Sequence, residues 1–313
     1  MSLRVVFMGT PEFAVPGLAA VLEHGCEVVA VVSQPSKPVG RGLQVQPPPV
    51  AAFAAERGLP VFQWPRLSNE SYDALSALRP DLCVVIAYGK ILPKRYLELP
   101  RHGCLNVHAS LLPRWRGAAP IQWAVLDGDA RTGVCVMRME EGLDTGPVAH
   151  VVETPIGPDE TSGELHDRLA ALGAQALRHT LAALERGPLS FAPQPEEGVT
   201  YARRLEKADG RLDWSWSAQR LHDRVRGAHP WPGAFIDRPE GPLKVLSARV
   251  WTHPVAPGAH QVGSVLAHAP DGPVVACADG ALVLTRLQRA GRKVVTGAEF
   301  MRGALDCAVG AQL

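Results

Sequence analysis

The chain has 313 residues, a net charge of +1, 46% hydrophobic and 20% charged residues. This is the composition of an ordinary globular protein long enough for two domains, and it excludes the disordered, collagen-like and disulfide-scaffold classes. No apolar run approaches the roughly 18 residues of a membrane span, and residues 1–4 lead into a strand-like run without a signal-peptide core, so the expected location is cytoplasmic, with no membrane.

The six cysteines form no C-x-x-C pair and read as buried, reduced thiols, with no metal site. Residues 1–202 are mildly acidic and residues 203–313 basic, which suggests that the back half meets a polyanion.

Residues 3–8 are an apolar strand-like run ending at Gly9. Thr10 reads as a helix N-cap, Pro11 as a first helical residue, and Phe13, Val15, Leu18, Val21 and Leu22 recur at helical spacing. Residues 27–32 are the next strand. Strand–helix–strand predicts a parallel sheet, and a missing Gly-x-Gly-x-x-Gly argues against dinucleotide binding.

Residues 34–49 read as a long structureless connection, lightly charged by Lys37 and Arg41: a surface loop or a phosphate-contacting lid. Residues 50–57 and 71–78 read as helices and 61–63 as a short strand. The continuous apolar run 82–87 reads as a central parallel strand. It ends in Tyr88 and Gly89, where ligands of such sheets bind.

Residues 104–108 form the next strand, which breaks into a polar, Pro-bounded stretch. A helix is expected over 119–126, strands over 132–139 and 148–154, and between those strands Gly142 and Gly146 bracket Asp144 on a tight loop. Thr161 and Glu164 form a capping box opening a helix to about residue 186, with Leu165, Leu169, Leu172, Ala176, Leu177, Leu181 and Leu184 inward.

Linker composition follows Gly187-Pro188. Beyond it Ser217 caps a helix through residue 228, and short strand-like runs cover 234–236, 244–252, 263–267, 274–276 and 281–288. Thr296 and Glu299 form a second capping box. The expected architecture is α/β: a doubly wound, mostly parallel sheet in a catalytic domain, residues 1–189; a linker, 190–207; and a small β-barrel, 208–313.

Asn106 and His108 are two apart, so on a strand they share a face. With Asp144 they suit direct acyl-type transfer. Asn106 would donate to a developing oxyanion, His108 would donate to it or shuttle a proton, and Asp144 would take a proton and fix the imidazole. No Gly-x-Ser-x-Gly nucleophile elbow is present. Trp214, Trp216 and Trp231 are expected to pack rather than stack on bases.

The sequence resembles the methionyl-tRNA formyltransferase family along essentially its whole length. The resemblance rests on residues 9–14, Gln34-Pro35, Gly40-Arg41-Gly42, the run from Asn106 to Pro120, Gly142 to Gly146, Asp209 to Trp214 and Pro230-Trp231-Pro232. It implies formyl transfer from 10-formyltetrahydrofolate to the methionine amino group of initiator methionyl-tRNA, with Asn106, His108 and Asp144 catalytic.

It further implies folate contacts at Ser110, Leu111, Leu112 and Pro113, and near Ile86, Tyr88, Gly89 and Glu140. The tRNA-inserting loop would be 34–49. Fewer lysines follow Gly42 than is usual in the family, so phosphate contacts lean on Lys37 and Arg41. Basic stretches around Arg204 and Lys207 and around Arg292 and Lys293 supply the rest. The expected state is a monomer. The rival activity is formyl transfer to another amine, an amino-sugar nucleotide or a ribonucleotide.

Overall fold

The computed structural model describes residues 2–39, 44–255, 260–302 and 307–313. The chain packs as two units. One comprises Met1–Gly117, Arg131–Pro155 and His166–Ala202, the other Ala118–Ala130, Ile156–Leu165 and Arg203–Leu313. The division is therefore not one cut: residues 118–130 and 156–165 fold with the C-terminal residues.

In chain order the elements are β1 (Arg4–Gly9), α1 (Val15–Glu23), β2 (Glu27–Val32), β3 (Lys37–Val39), β4 (Gln44–Gln46), α2 (Pro49–Ala55), β5 (Val61–Phe62), α3 (Asn69–Ala77) and β6 (Leu82–Ile86). Then come α4 (Lys94–Leu97), β7 (Cys104–His108), β8 (Arg116–Gly117), α5 (Pro120–Leu126), β9 (Arg131–Arg138), β10 (Val148–Pro155), α6 (Ser162–Arg186) and β11 (Tyr201–Ala202).

The first unit is built on a seven-stranded sheet of order β10-β9-β7-β6-β1-β2-β5. The pairs among β5, β2, β1, β6 and β7 are parallel, while β9 and β10 run antiparallel at one edge. All of β6, and β1 beyond Arg4, are buried, as apolar runs covered on both faces must be. Because β1 lies between β2 and β6, the winding reverses there and opens a crevice at the carboxyl ends of these strands.

Thr10 stands in that crevice and is not a helix cap. The first helical turn starts after Pro11 with no side-chain cap. The Thr10 hydroxyl instead donates to Tyr88 O at 3.0 Å and accepts from Gln34 N at 3.3 Å. A tertiary acceptor at the switch point outcompetes the local capping bond.

The segment 34–49 is likewise not structureless. β3 and β4 pair antiparallel, Lys37 opposite Gln46 and Pro38 opposite Val45. The pairing satisfies backbone groups that an irregular loop would leave to water. Arg41 lies outside the described residues.

α6 opens with the predicted box: Thr161 N donates to Glu164 Oε2 at 2.9 Å, and Glu164 N donates to Thr161 Oγ1 at 3.3 Å. Its inward leucines are buried except Leu172, which is half-buried. Each fully buried leucine contributes about 1.5–3 kcal/mol. No helix of the described residues is long and apolar enough to cross a membrane.

The second unit adds α7 (Ala218–Gly227), β12 (Ala234–Ile236), β13 (Leu243–Val250), β14 (Val265–Ala269), β15 (Gly272–Ala276), β16 (Ala281–Gln288), β17 (Val295–Thr296) and α8 (Gly297–Arg302). Its antiparallel sheet runs β12-β13-β16-β15-β14, with β17 also on β16. Inward residues of the first and last strands, Ile236 and Val265, join Val245, Leu284 and Val275 in one core, so the sheet is rolled around its own interior. α5 belongs here because Gly227 of α7 has no side chain: a Cβ there would lie 2.8 Å from the Leu126 side chain.

Trp214 packs as expected, its Nε1 donating to Leu313 O at 3.0 Å, and Trp216 is partly buried against the same core. Trp231 does not pack and is 56% exposed. It stands between two prolines, outside any helix or strand whose period could turn it inward.

Candidate active site

Three elements of the first unit bring the chemistry together. β7 ends in Asn106 and His108, side by side on one face. The loop after β9 carries Asp144. The stretch from Ser110 to Gly117 closes back over them.

Asn106 is half-buried, and one of its amide hydrogens donates to Val85 O at 3.1 Å. Its Oδ1 is buried and finds no donor among the described residues. The side chain thus retains one spare N–H and one orphaned acceptor. A buried unpaired acceptor is costly unless a ligand satisfies it.

His108 is 6% exposed. Its Nε2 lies 2.9 Å from Trp115 O, and its Nδ1 lies 3.7 Å from Asp144 Oδ2. A carbonyl can only accept, so Nε2 carries the proton in the neutral ring. Nδ1 is then bare and faces a carboxylate. Nε2 is committed to Trp115 O, and Nδ1 is the nitrogen that faces Asp144.

Asp144 sits at a left-handed φ of 51°, and Trp115 at 62°. Neither conformation is cheap for a residue with a Cβ. Several bonds hold them there. Gly117 N donates to Asp144 Oδ2 at 2.8 Å. Gln194 Nε2 donates to Asp144 O and Gly146 O, both at 2.8 Å. Trp115 N donates to Thr200 Oγ1 at 2.9 Å. Gly117 itself has φ 118°, and a Cβ there would lie 2.7 Å from Ala202 O across the β8–β11 pair.

The other predicted residues distribute unevenly. Ser110 is buried, and its hydroxyl donates to Arg114 O at 2.6 Å, so it braces its own turn. Leu111 lies over Gly133 of β9, and Pro113 is buried. Leu112 is half-buried. Ile86 turns away from the site against Gly17 of α1.

The Tyr88 ring is core, packed with Val6, Leu75 and Tyr96, and burial pushes its phenol up to about 12. Only its backbone faces the crevice. Gly89 and Glu140 are exposed. Lys37, Arg204, Lys207, Arg292 and Lys293 are exposed. Gln194 and Thr200 were not singled out from the sequence, where they stand among prolines and glycine in linker-like composition.

With this geometry in hand, the chain can be set beside known proteins. The formyl transferase family model matches residues 3–181, and the formyl transferase C-terminal domain model matches residues 204–305. The chain belongs to the formyl transferase family.

Within it, the chain is similar to methionyl-tRNA formyltransferases. It is 53% identical over 306 residues to that of Parvibaculum lavamentivorans, covering 96% of this chain and 97% of the relative. It is 52% identical over 301 residues to that of Myxococcus xanthus, covering 96% and 95%.

Among solved structures, the N-formyltransferase from Helicobacter canadensis, in complex with folinic acid and dTDP-3-aminofucose, matches with a TM-score of 0.68 at 14% identity, over 90% of this chain and 98% of that one. HypX from Aquifex aeolicus in complex with tetrahydrofolic acid matches with a TM-score of 0.60 at 17% identity, over 96% of this chain and 47% of that one. At these identities the two structures bear on the fold alone.

Proposed function

We propose that this chain transfers the formyl group of 10-formyltetrahydrofolate to the amino group of methionine on initiator methionyl-tRNA, giving formylmethionyl-tRNA for translation initiation. The observation that carries the reading is the likeness, above half identity and from end to end, to methionyl-tRNA formyltransferases. The site's chemistry supports it.

The attacking amine must be neutral and aligned at about 3 Å from the formyl carbon. The orphaned Asn106 Oδ1 can accept one of its hydrogens. The spare Asn106 N–H points the other half of the same amide at the formyl oxygen, whose charge grows as the new C–N bond forms. Such a donor is worth on the order of 3 kcal/mol in the transition state.

The amine loses its proton to the pair made by Asp144 and the bare Nδ1 of His108. The old C–N bond then breaks, and the pair returns a proton to the leaving folate nitrogen. Ser110 to Pro113, the Ile86–Gly89 backbone and Glu140 are assigned to the folate side. Lys37, Arg41, Arg204, Lys207, Arg292 and Lys293 are assigned to tRNA phosphates. We take the working protein to be a cytoplasmic monomer that needs no metal.

The test is direct. Purified protein is given the formyl donor and charged initiator tRNA, and formylmethionine is measured. Product with the charged tRNA and none with an amino-sugar nucleotide is the outcome expected. The reverse preference would assign the chain to the rival substrate.

A further inference from the structure

The stretch after α6 has linker composition, yet residues 192–202 run along the site and bond to it repeatedly. Val148 and Ala192 exchange both backbone bonds, at 2.8 and 2.9 Å. Gln194 then reaches the Asp144 loop. Its Nε2 donates to the carbonyls of Asp144 and Gly146, and its Oε1 accepts from Arg116 Nε at 3.1 Å and Nη2 at 2.7 Å.

Six residues later Thr200 reaches the other side. Its Oγ1 accepts from Trp115 N, its carbonyl accepts from Arg116 N at 2.9 Å, and its own N donates to Pro113 O at 3.4 Å. β11 follows at once and pairs with β8.

Two of these contacts fall on the residues with left-handed backbones. Gln194 grips Asp144, and Thr200 grips Trp115. Asp144 presents its carboxylate to His108 Nδ1, and Trp115 presents its carbonyl to His108 Nε2. The imidazole is therefore held between two groups, each locked by a different residue of the same strap.

We propose that Gln194 and Thr200 are positioning residues for the reaction: together they fix the tautomer and the orientation of His108 by holding Trp115 O and Asp144 on its two nitrogens. Neither touches the reacting atoms. This inference rests on the role given above to His108 and Asp144.

The chemistry of the two side chains makes the test specific. Glutamate at 194 keeps the acceptor for Arg116 but, ionised, has no hydrogen to donate to the two carbonyls. Serine at 200 keeps the hydroxyl, and valine keeps the shape without it. Displacing a reacting group by about 1 Å can cost 100-fold in rate.

Thr200→Val and Gln194→Glu should each lower kcat about 10- to 100-fold with KM for the formyl donor within about threefold, while Thr200→Ser stays within about threefold of the parent. The second readout needs no substrate. The ring nitrogen shifts of His108, which report its tautomer, are recorded by NMR in the intact protein, with the signals assigned by their loss in His108→Asn. They should change in Thr200→Val and Gln194→Glu and return to the parent values in Thr200→Ser. Unchanged ring shifts in both damaged variants overturn the proposal. Changed ring shifts in a protein that forms no formylmethionine would leave the clamp standing and remove the assigned reaction instead. If Thr200→Val does not fold, Gln194→Glu, which retains the Arg116 contact, decides alone.

Discussion

His108 Nδ1 and Asp144 Oδ2 face each other across 3.7 Å while the other imidazole nitrogen donates to Trp115 O. The gap is longer than a hydrogen bond, so the two groups face each other without one. In the function proposed above, this pair receives the proton that the attacking amine loses.

Asp144→Asn tests this with little change of shape. The amide oxygen can still accept from Gly117 N, so the loop remains held. What is lost is the charge and the proton site. Formylation should fall by about 100-fold or more, in the range of a lost general base. Folate binding, followed by fluorescence or calorimetry, should stay within about threefold. Normal turnover in this variant would end the role given to Asp144.

Gly117→Ala tests the close approach behind the same pair. Alanine is strained at φ 118°, and its Cβ would press on Ala202 O. Relief requires β8 to move, and the amide that holds Asp144 moves with it. A loss of about 1–3 kcal/mol in urea unfolding is expected, together with a fall in kcat. A variant as stable and as active as the parent would show that the glycine is not needed.

Much of this was legible in the sequence, for local reasons. Period and caps placed the central strands, α6 and both capping boxes, and a two-residue spacing put Asn106 and His108 on one face. The misses are tertiary. Thr10 looked like a cap because its competing acceptor, Tyr88 O, is 78 positions away in the chain. The β3–β4 pairing escaped because Lys37-Pro38-Val39 and Gln44-Val45-Gln46 are too short to show a period, and Val45 is exposed rather than buried. Gln194 and Thr200 escaped because each acts through backbone groups of another segment, which leaves no pattern in their own.

The second unit carries a pH-dependent element. His222 is 6% exposed, with Nε2 3.2 Å from Asp159 Oδ1. Two effects oppose one another. Burial, then Arg226, lowers its affinity for a proton, while Asp159 and Asp223 raise it. Burial wins because the Asp159 carboxylate is 84% exposed and screened. The ring is held below its ordinary value of 6.5, so it stays neutral in the fold where the unfolded chain would be protonated.

The sign follows from linkage. Unfolding takes up a proton in that window, so the stability contributed by a neutral His222 is complete above about pH 6.5 and is lost as the pH falls below it. His222→Gln should reduce the drop in unfolding free energy between pH 7.5 and pH 5. Equal drops in variant and parent would show that the ring titrates alike folded and unfolded.

Binding to tRNA should depend on salt through identifiable residues. Arg204, Lys207, Arg292 and Lys293 are exposed, with no acidic partner in ion-pair range among the described residues. Arg203 differs: its guanidinium makes paired bonds to Asp209 at 2.8 and 2.6 Å. A cation already neutralised by a carboxylate releases fewer counterions from a polyanion. Deleting the whole C-terminal region would not isolate the effect, because α5 and residues 156–165 fold with it. Single alanine substitutions do. Each of the four unpaired cations, if it meets a phosphate, should reduce the slope of log K against log salt by about one, and Arg203→Ala should reduce it less. KM for the formyl donor should not change. A slope that is indifferent to all four, or that responds most to Arg203, would move the phosphate-binding surface elsewhere on the protein.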